Sequence, residues 1–211
     1  MTHWLVKSVV LILLLALTAG VAPAGARTKI LVMGDSISAA YGIQREAGWV
    51  ALLDQRLGAL GSPWQVVNAS ISGETTGGGL ARLANALAAH DPGIVIIELG
   101  GNDGLRGYPV AMIRDNLDQL VALSKAQSRN VLLLGMQIPP NYGPRYVNAF
   151  AAMYREIAQR RKVALVPFLL ENVALTPRLM QNDGIHPAAE AQSQLLDAVW
   201  AELVAMLDSS A

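Results

Sequence analysis

The sequence predicts one α/β domain in which a five-stranded parallel sheet lies between two layers of helices. Short apolar segments alternate with longer segments whose apolar residues recur every three or four positions, which is the pattern of βαβ units. No linker, repeat or low-complexity stretch interrupts this alternation over the 211 residues, a length typical of one domain. Hydrophobic residues make up 53% of the chain and charged residues 15%, so a buried core can form.

The first half of the domain is predicted to contain three strands and two helices. The turns Gly61-Ser62-Pro63 and Asp91-Pro92-Gly93 end the helices, because glycine and proline after the last apolar residue stop helical pairing. The third strand is nearly all β-branched, as expected for a strand that is buried on both faces. The predicted segments are strand 29–33, helix 49–60, strand 65–68, helix 80–88 and strand 94–99.

The second half continues the alternation with two more strands and three more helices. Its helices are predicted from apolar stripes at helical spacing, and its strands from uninterrupted apolar runs. The predicted segments are helix 110–121, strand 131–134, helix 146–157, strand 163–168 and helix 195–203.

The first 26 residues are predicted to be a signal peptide rather than part of the domain. His3 and Lys7 precede an apolar run over 8–19, and the small residues Ala24-Gly25-Ala26 form a cleavage pattern. The run is shorter than the roughly 18–20 residues that span a bilayer. We therefore expect a mature domain of residues 27–211 in the periplasm or outside the cell, without a stable membrane anchor.

Charge and composition exclude several classes of function. Lysine plus arginine and aspartate plus glutamate both number 16, and no basic run is present, which argues against nucleic-acid binding. The absence of cysteine excludes disulfides, thiolate metal sites and cysteine nucleophiles. The three histidines, His3, His90 and His186, are too few for a histidine-rich metal site. We expect His90 to be structural, because a cation is favourable at the end of a helix.

Polar segments follow the predicted strands, where parallel sheets bind their ligands. Motifs for a phosphate-binding P-loop and for dinucleotides are missing, and Ser38 stands where a G-x-S-x-G turn needs glycine. The remaining side chains suit acyl transfer, in which a serine needs a base and the base needs a carboxylate. The candidates are Ser36, His186 and Asp183.

Other interpretations of these segments stay open at this point. Gly34-Asp35-Ser36 could be an ordinary turn or helix cap, and Gly101-Asn102-Asp103 a plain turn. Glu98 and Asp103 could form the paired acids of a glycoside hydrolase.

Four sequence blocks together resemble those of the SGNH/GDSL hydrolases. Gly34-Asp35-Ser36-Ile37 is similar to the GDSL block, with Ile37 where the block name has leucine. Gly73, Gly100-Gly101-Asn102-Asp103 and Asp183-x-x-His186 match the later blocks in the family's order. The resemblance covers essentially all of residues 27–211. Longer stretches around these blocks resemble the bacterial periplasmic branch of thioesterases, lysophospholipases and arylesterases.

The resemblance implies a three-layer, flavodoxin-like SGNH hydrolase fold and a serine hydrolase of esters and acyl thioesters. Acyl-CoA, lysophospholipids and aryl or short-chain esters are the implied substrates. Ser36 is the implied nucleophile, His186 the base and Asp183 its orienting carboxylate, and neither a metal nor an organic cofactor is required. The implied oxyanion donors are the N–H groups of Ser36 and Gly73 and the amide of Asn102. We expect a monomer, and expect Met136, Ile138 and Tyr142 to contact an acyl chain.

Two other functions remain possible on the sequence alone. A carbohydrate O-acetylesterase of the same superfamily would share the fold and the triad and would differ only in its substrate pocket. A non-catalytic periplasmic lipid-binding protein would need no triad, so the presence of all the expected catalytic groups argues against it. Met136, Ile138 and Tyr142 could also be ordinary loop packing, since apolar loop residues often only cover a core.

Overall fold

The computed structural model describes residues 28–126 and 129–209, and the predicted signal peptide lies outside these residues. The described chain forms one sheet of five strands, and every hydrogen-bonded pair of neighbouring strands is parallel. The predicted five-stranded parallel sheet is thus confirmed. The strands are β1 (Lys29–Gly34), β2 (Gln65–Asn68), β3 (Ile94–Glu98), β4 (Asn130–Leu134) and β5 (Ala164–Val166).

The strand order β2-β1-β3-β4-β5 is the flavodoxin-like order, as expected. The chain leaves β1 toward one side of the sheet to form β2 and then returns past β1 to form β3. The carboxyl ends of β1 and β3 therefore flank the point where the strand order reverses. Ligands of such sheets bind in the crevice at that point.

Helices cover both faces of the sheet and complete the predicted three layers. Alternate strand residues point to opposite faces, so Ile30 and Val32 belong to one apolar cluster and Leu31 and Met33 to the other. The first and last helices pack on the Ile30 face, and the second, fourth and fifth pack on the Leu31 face. The helices are α1 (Trp49–Ala59), α2 (Thr76–His90), α3 (Gly101–Leu105), α4 (Val110–Lys125), α5 (Pro144–Arg161) and α6 (Gln192–Ser209).

The helices α4, α5 and α6 extend beyond their predicted bounds, and three further elements differ for identifiable reasons. The short helix α3 was expected to be a loop, because its sequence GNDGL is too short and too glycine-rich to show an apolar stripe. Helix α2 begins four residues before the predicted segment, where the Thr75 side chain caps it by accepting a hydrogen bond from the Gly78 N–H at 3.1 Å. Strand β5 is shorter than predicted, because Pro167 has no N–H to donate to a neighbouring strand.

The described part of the chain also contains four short 3₁₀ helices. One of them, Pro140–Tyr142, lies between β4 and α5, and another, Pro177–Leu179, lies between β5 and α6. No helix within residues 28–126 and 129–209 has both the length and the apolar character needed to cross a membrane.

Candidate active site

Ser36 lies in a tight turn directly after β1, at the reversal point of the sheet. The backbone N–H of Tyr41 donates to the Ser36 carbonyl at 3.0 Å, and the N–H of Ala39 donates to the Asp35 carbonyl at 3.0 Å. These bonds fold the chain back at once, so the Ser36 side chain is only partly buried while Asp35 is buried beneath it. The turn thus exposes one hydroxyl at the carboxyl end of β1.

His186 contacts Ser36 although 150 residues separate them in the chain. His186 Nε2 lies 2.9 Å from Ser36 Oγ, and His186 Nδ1 lies 2.7 Å from Asp183 Oδ2. An ionised carboxylate can only accept, so the Nδ1–H donates to Asp183. This tautomer leaves a lone pair on Nε2, which accepts from the Ser36 hydroxyl. The three predicted residues are therefore connected in the order that nucleophilic catalysis requires.

The Asp183 carboxylate is stabilised in its charged form. Partial burial acts to raise the pKa of Asp183, but hydrogen bonds from the backbone and the imidazole of His186 and from the Ile185 N–H lower it to about 2. Asp183 Oδ1 accepts the Ile185 N–H at 2.9 Å and the His186 N–H at 3.0 Å. One side chain therefore shapes its own loop and holds the imidazole in one orientation.

A long segment between β5 and α6 carries His186 back across the sheet to the end of β1. Met180 and Pro187 form an antiparallel bridge at the base of the His186 loop. Gln181 donates its side-chain amide to the Tyr41 carbonyl at 2.8 Å, which ties this loop to the turn after Ser36. The Tyr41 ring lies 4.6 Å from the imidazole of His186, between centroids.

The two other predicted oxyanion residues lie in the segments that follow β2 and β3, the strands on either side of β1. Asn102, in the first turn of α3, donates its side-chain Nδ2–H to Asp35 Oδ2 at 3.1 Å. This bond places its amide beside the turn of residues 35–41, which contains the predicted nucleophile Ser36 and is called the nucleophile turn below. Gly73 follows β2, and the segment before it is joined to β1 through the Ile71 N–H and the Gly34 carbonyl at 3.1 Å. Gly73 has φ = 81°, a conformation that glycine adopts without strain.

The three predicted substrate contacts are mostly turned into the protein. Met136 and Ile138 are 6% and 5% exposed and belong to the apolar cluster beneath α3. The Tyr142 hydroxyl donates to the Leu105 carbonyl at 2.6 Å, at the end of α3. These residues support the helix that carries Asn102, and their contact with an acyl chain stays a prediction.

The structure shows contacts around the site that sequence reasoning did not predict. Arg106 donates to the Gly73 carbonyl at 3.1 Å, and Tyr41 packs against His186. Glu98 is fully buried beneath the nucleophile turn. A lone carboxylate at the end of an apolar strand was the available signal for Glu98, whereas an exposed tyrosine in a loop gives none.

The remaining candidates from the sequence, Asp103 and His90, occupy positions that fit a structural role. Asp103 is buried and accepts hydrogen bonds from the Thr76 N–H and hydroxyl at 2.9 and 2.6 Å, which joins α3 to the start of α2. Since Glu98 is buried as well, the geometry gives no support to a pair of solvent-facing acids. His90 is the last residue of α2, the helix-end position that its structural interpretation requires.

Known proteins resemble the chain over most of its length. Residues 32–193 match the GDSL-like lipase/acylhydrolase family. The chain is 53% identical over 182 residues to esterase TesA of Pseudomonas aeruginosa, across 86% of this chain and 90% of that protein. It is 44% identical over 178 residues to thioesterase 1/protease 1/lysophospholipase L1 of Escherichia coli, across 82% of each chain.

Solved structures show the same similarity in three dimensions. The crystal structure of TesA superposes with a TM-score of 0.82 at 53% identity, over 84% of this chain and 99% of that one. The psychrotrophic esterase EstA from Pseudoalteromonas, inhibited by monoethylphosphonate, gives a TM-score of 0.82 at 43% identity, over 86% and 99% of the two chains. The chain therefore belongs to the GDSL-like lipase/acylhydrolase family, as its four sequence blocks predicted.

Proposed function

We propose that the protein is a serine hydrolase that cleaves carboxylic esters and acyl thioesters. The observation that carries the proposal is the connected set of Ser36, His186 and Asp183, with side-chain distances of 2.9 and 2.7 Å. The relatives named esterase and thioesterase/lysophospholipase support this class of substrate. From the same relatives we infer a small-molecule acyl substrate.

The reaction begins when Ser36 Oγ attacks the acyl carbonyl carbon and His186 Nε2 takes the hydroxyl proton. Asp183 stabilises the resulting imidazolium, because its carboxylate already accepts the Nδ1–H. The tetrahedral oxyanion accepts hydrogen bonds from the N–H groups of Ser36 and Gly73 and from the Asn102 amide.

The oxyanion then collapses, and the bond to the alcohol or thiol leaving group breaks as His186 returns its proton to that group. This step leaves an acyl-enzyme on Ser36. Water attacks the acyl carbon with His186 again acting as the base, which releases the carboxylic acid and restores the Ser36 hydroxyl.

Exposed apolar side chains near the site favour an acyl chain over a sugar as the bound group. Three exposed side chains are Tyr41, which packs against His186, Ile185, which precedes His186 in the chain, and Ile71, two residues before Gly73. An apolar chain gains free energy by covering such surfaces, whereas the hydroxyl groups of a sugar find no hydrogen-bond partner on the side chains of Ile71 and Ile185.

A substrate panel tests the proposal. We expect covalent labelling by a fluorophosphonate and turnover of p-nitrophenyl esters and acyl-CoA thioesters, measured across acyl chain lengths. Turnover of acetylated sugars alone would instead indicate a carbohydrate O-acetylesterase. Binding of lipid with neither labelling nor turnover would indicate a non-catalytic protein.

We predict that Asn102→Ala lowers kcat by about 10²–10³-fold and changes KM little, because loss of one oxyanion donor is felt only when the oxyanion forms. Steady-state kinetics with a p-nitrophenyl ester measure both constants. The backbone donors of Ser36 and Gly73 remain, so residual activity should persist.

The matched control for this variant is Asn116→Ala. Asn116 is likewise partly buried, and its amide donates to the Thr76 hydroxyl at 3.1 Å, away from the nucleophile turn. We expect the control to lower the melting temperature at most and to leave kcat unchanged. An Asn102→Ala enzyme with wild-type kcat and raised KM would contradict the oxyanion role.

We also propose that residues 1–26 are removed during secretion, which places the mature enzyme in the periplasm or outside the cell. Ala24 and Ala26 provide the small side chains that a signal peptidase accepts. N-terminal sequencing of protein from the cell envelope and the medium should begin at Arg27. Recovery of an intact Met1 in a membrane fraction would indicate an uncleaved anchor instead.

A further inference from the structure

Glu98 is a buried carboxyl group for which the proposed mechanism has no use. It ends β3, whose other residues are all apolar, and its side chain is 0% exposed. Burial of a carboxyl group costs free energy unless its polar atoms find partners. The partners of Glu98 therefore indicate what this residue does.

Those partners are the residues on either side of Ser36. Glu98 Oε2 accepts the backbone N–H of Asp35 at 3.1 Å and the hydroxyl of Ser38 at 2.7 Å. Both bonds join positions about 60 residues apart in the sequence, so they connect β3 to the nucleophile turn.

The sheet leaves room for this contact through a glycine. Gly34 is the partner of Glu98 in the register of β1 and β3. A Cβ atom at position 34 would lie 2.7 Å from Glu98 Oε2 and 2.6 Å from Ser38 Cβ, which is too close for either. Any larger residue at position 34 would therefore displace the bridge between Glu98 and Ser38.

We propose that Glu98 is a positioning residue that fixes the nucleophile turn on both sides of Ser36 and thereby aims Ser36 Oγ at His186. This inference rests on the proposed hydrolase function. The inference extends to the proposed oxyanion donor Asn102, because the hydrogen bonds that Glu98 accepts also orient Asp35. The Asp35 carboxylate in turn accepts the Asn102 Nδ2–H and the Ile37 N–H, each at 3.1 Å.

The surroundings of Glu98 favour its neutral acid form. Oε2 accepts two hydrogen bonds and Oε1 is buried without a partner among the described residues, so a negative charge on the carboxyl group would be only partly compensated. Burial and the neighbouring charge of Asp35 raise the pKa of Glu98 well above the usual range of a glutamate. Burial also raises the pKa of Asp35, to about 6, against hydrogen bonds that favour its charge.

Two substitutions separate positioning from charge. Glu98→Gln keeps a carbonyl oxygen for both hydrogen bonds and replaces the acid hydroxyl with an amide, so we expect kcat to stay within a few-fold of wild type. Glu98→Ala removes the bridge, and we expect kcat to fall by about 10²-fold with little change in KM, since small displacements of reacting groups have effects of that size. The rate of fluorophosphonate labelling should fall in parallel with kcat.

The control for lost packing is Ile96→Ala, two residues earlier in the same strand. Ile96 is fully buried and its apolar side chain makes no hydrogen bond to the turn, so we expect Ile96→Ala to lower the melting temperature without lowering kcat in the folded fraction. If Glu98→Ala does not fold, Ser38→Ala removes one of the two bonds and should reduce kcat by about tenfold.

The outcomes distinguish this inference from the proposed function. A folded Glu98→Ala enzyme with wild-type kcat would overturn the positioning role and leave the proposed hydrolase function intact. If Glu98→Ala does not fold, a wild-type kcat in Ser38→Ala would have the same meaning. An equal loss of kcat in Glu98→Gln and Glu98→Ala would also overturn the positioning role. Glu98→Gln keeps both hydrogen bonds to the turn, so these bonds would then not be enough to maintain kcat. Failure of the wild-type protein to react with fluorophosphonate would instead remove the proposed function itself.

Discussion

Replacing Ser36 with alanine is expected to lower turnover by about 10⁶-fold and to abolish fluorophosphonate labelling. The variant keeps the oxyanion donors and the substrate surface, but it has no atom that can form the acyl-enzyme. The measurements are kcat with a p-nitrophenyl ester and the mass shift of the protein after labelling. The melting temperature should change little, because the Ser36 side chain is only partly buried.

Neighbouring serines provide the control for this variant. Ser72 is exposed in the segment before Gly73, and Ser70 lies two residues earlier. We expect Ser70→Ala and Ser72→Ala to remain labelled at one site and to keep wild-type turnover. If Ser36→Ala retains activity while one of these variants loses it, the nucleophile assignment is wrong.

The sequence predicted the strands and the long helices because each buried element has a characteristic pattern of apolar residues along its own sequence. The apolar run from Ile30 to Met33 and the alternating contacts of Leu31 and Val32 show this for β1. No such local pattern specifies the order of the strands, since a strand that is apolar on both faces can pair with any neighbour. The family resemblance, rather than the hydrophobic pattern, supplied the flavodoxin-like order.

The side-chain contacts of the candidate site were predictable where a chemically suitable residue type falls within a sequence block of the family. Ser36, Asp183 and His186 are such residues, and the structure brings their side chains into contact. Residues that act through burial were not predictable in the same way. Glu98 looked like one acid of a possible pair, because its bonds to Asp35 and Ser38 depend on a strand register that only the folded sheet provides.

The short helix α3 shows a second limit of sequence reasoning. Its N-terminal cap is Gly100 with φ = 120°, and a Cβ atom there would lie 2.4 Å from the Tyr154 hydroxyl of α5. Tertiary contacts therefore fix this helix and with it the position of Asn102. A prediction from propensity gives a loop, because glycines disfavour a helix in isolation.

Replacing Asp183 with asparagine is expected to lower kcat by about 10⁴-fold while the protein stays folded. The asparagine oxygen can still accept the N–H groups of Ile185 and His186, so the loop should keep its shape. Its amide nitrogen, however, is a donor where Asp183 Oδ2 accepts the Nδ1–H of His186 at 2.7 Å. The imidazole proton then moves to Nε2, which leaves no lone pair to take the proton of Ser36.

The measurement is kcat of Asp183→Asn over a range of pH. The control is Asn182→Ala, in the same exposed loop. The pKa of Asp183 is lowered to about 2, so its carboxylate is ionised throughout an assay range of about pH 5–9. Titration of Asp183 itself therefore adds no pH dependence to the loss of kcat in that range, and higher pH should not restore wild-type kcat. Asn182→Ala should keep wild-type kcat, because its side chain is not part of the proposed triad. A kcat of Asp183→Asn within about tenfold of wild type would mean that another group orients His186, since a reversed tautomer cannot act as the base.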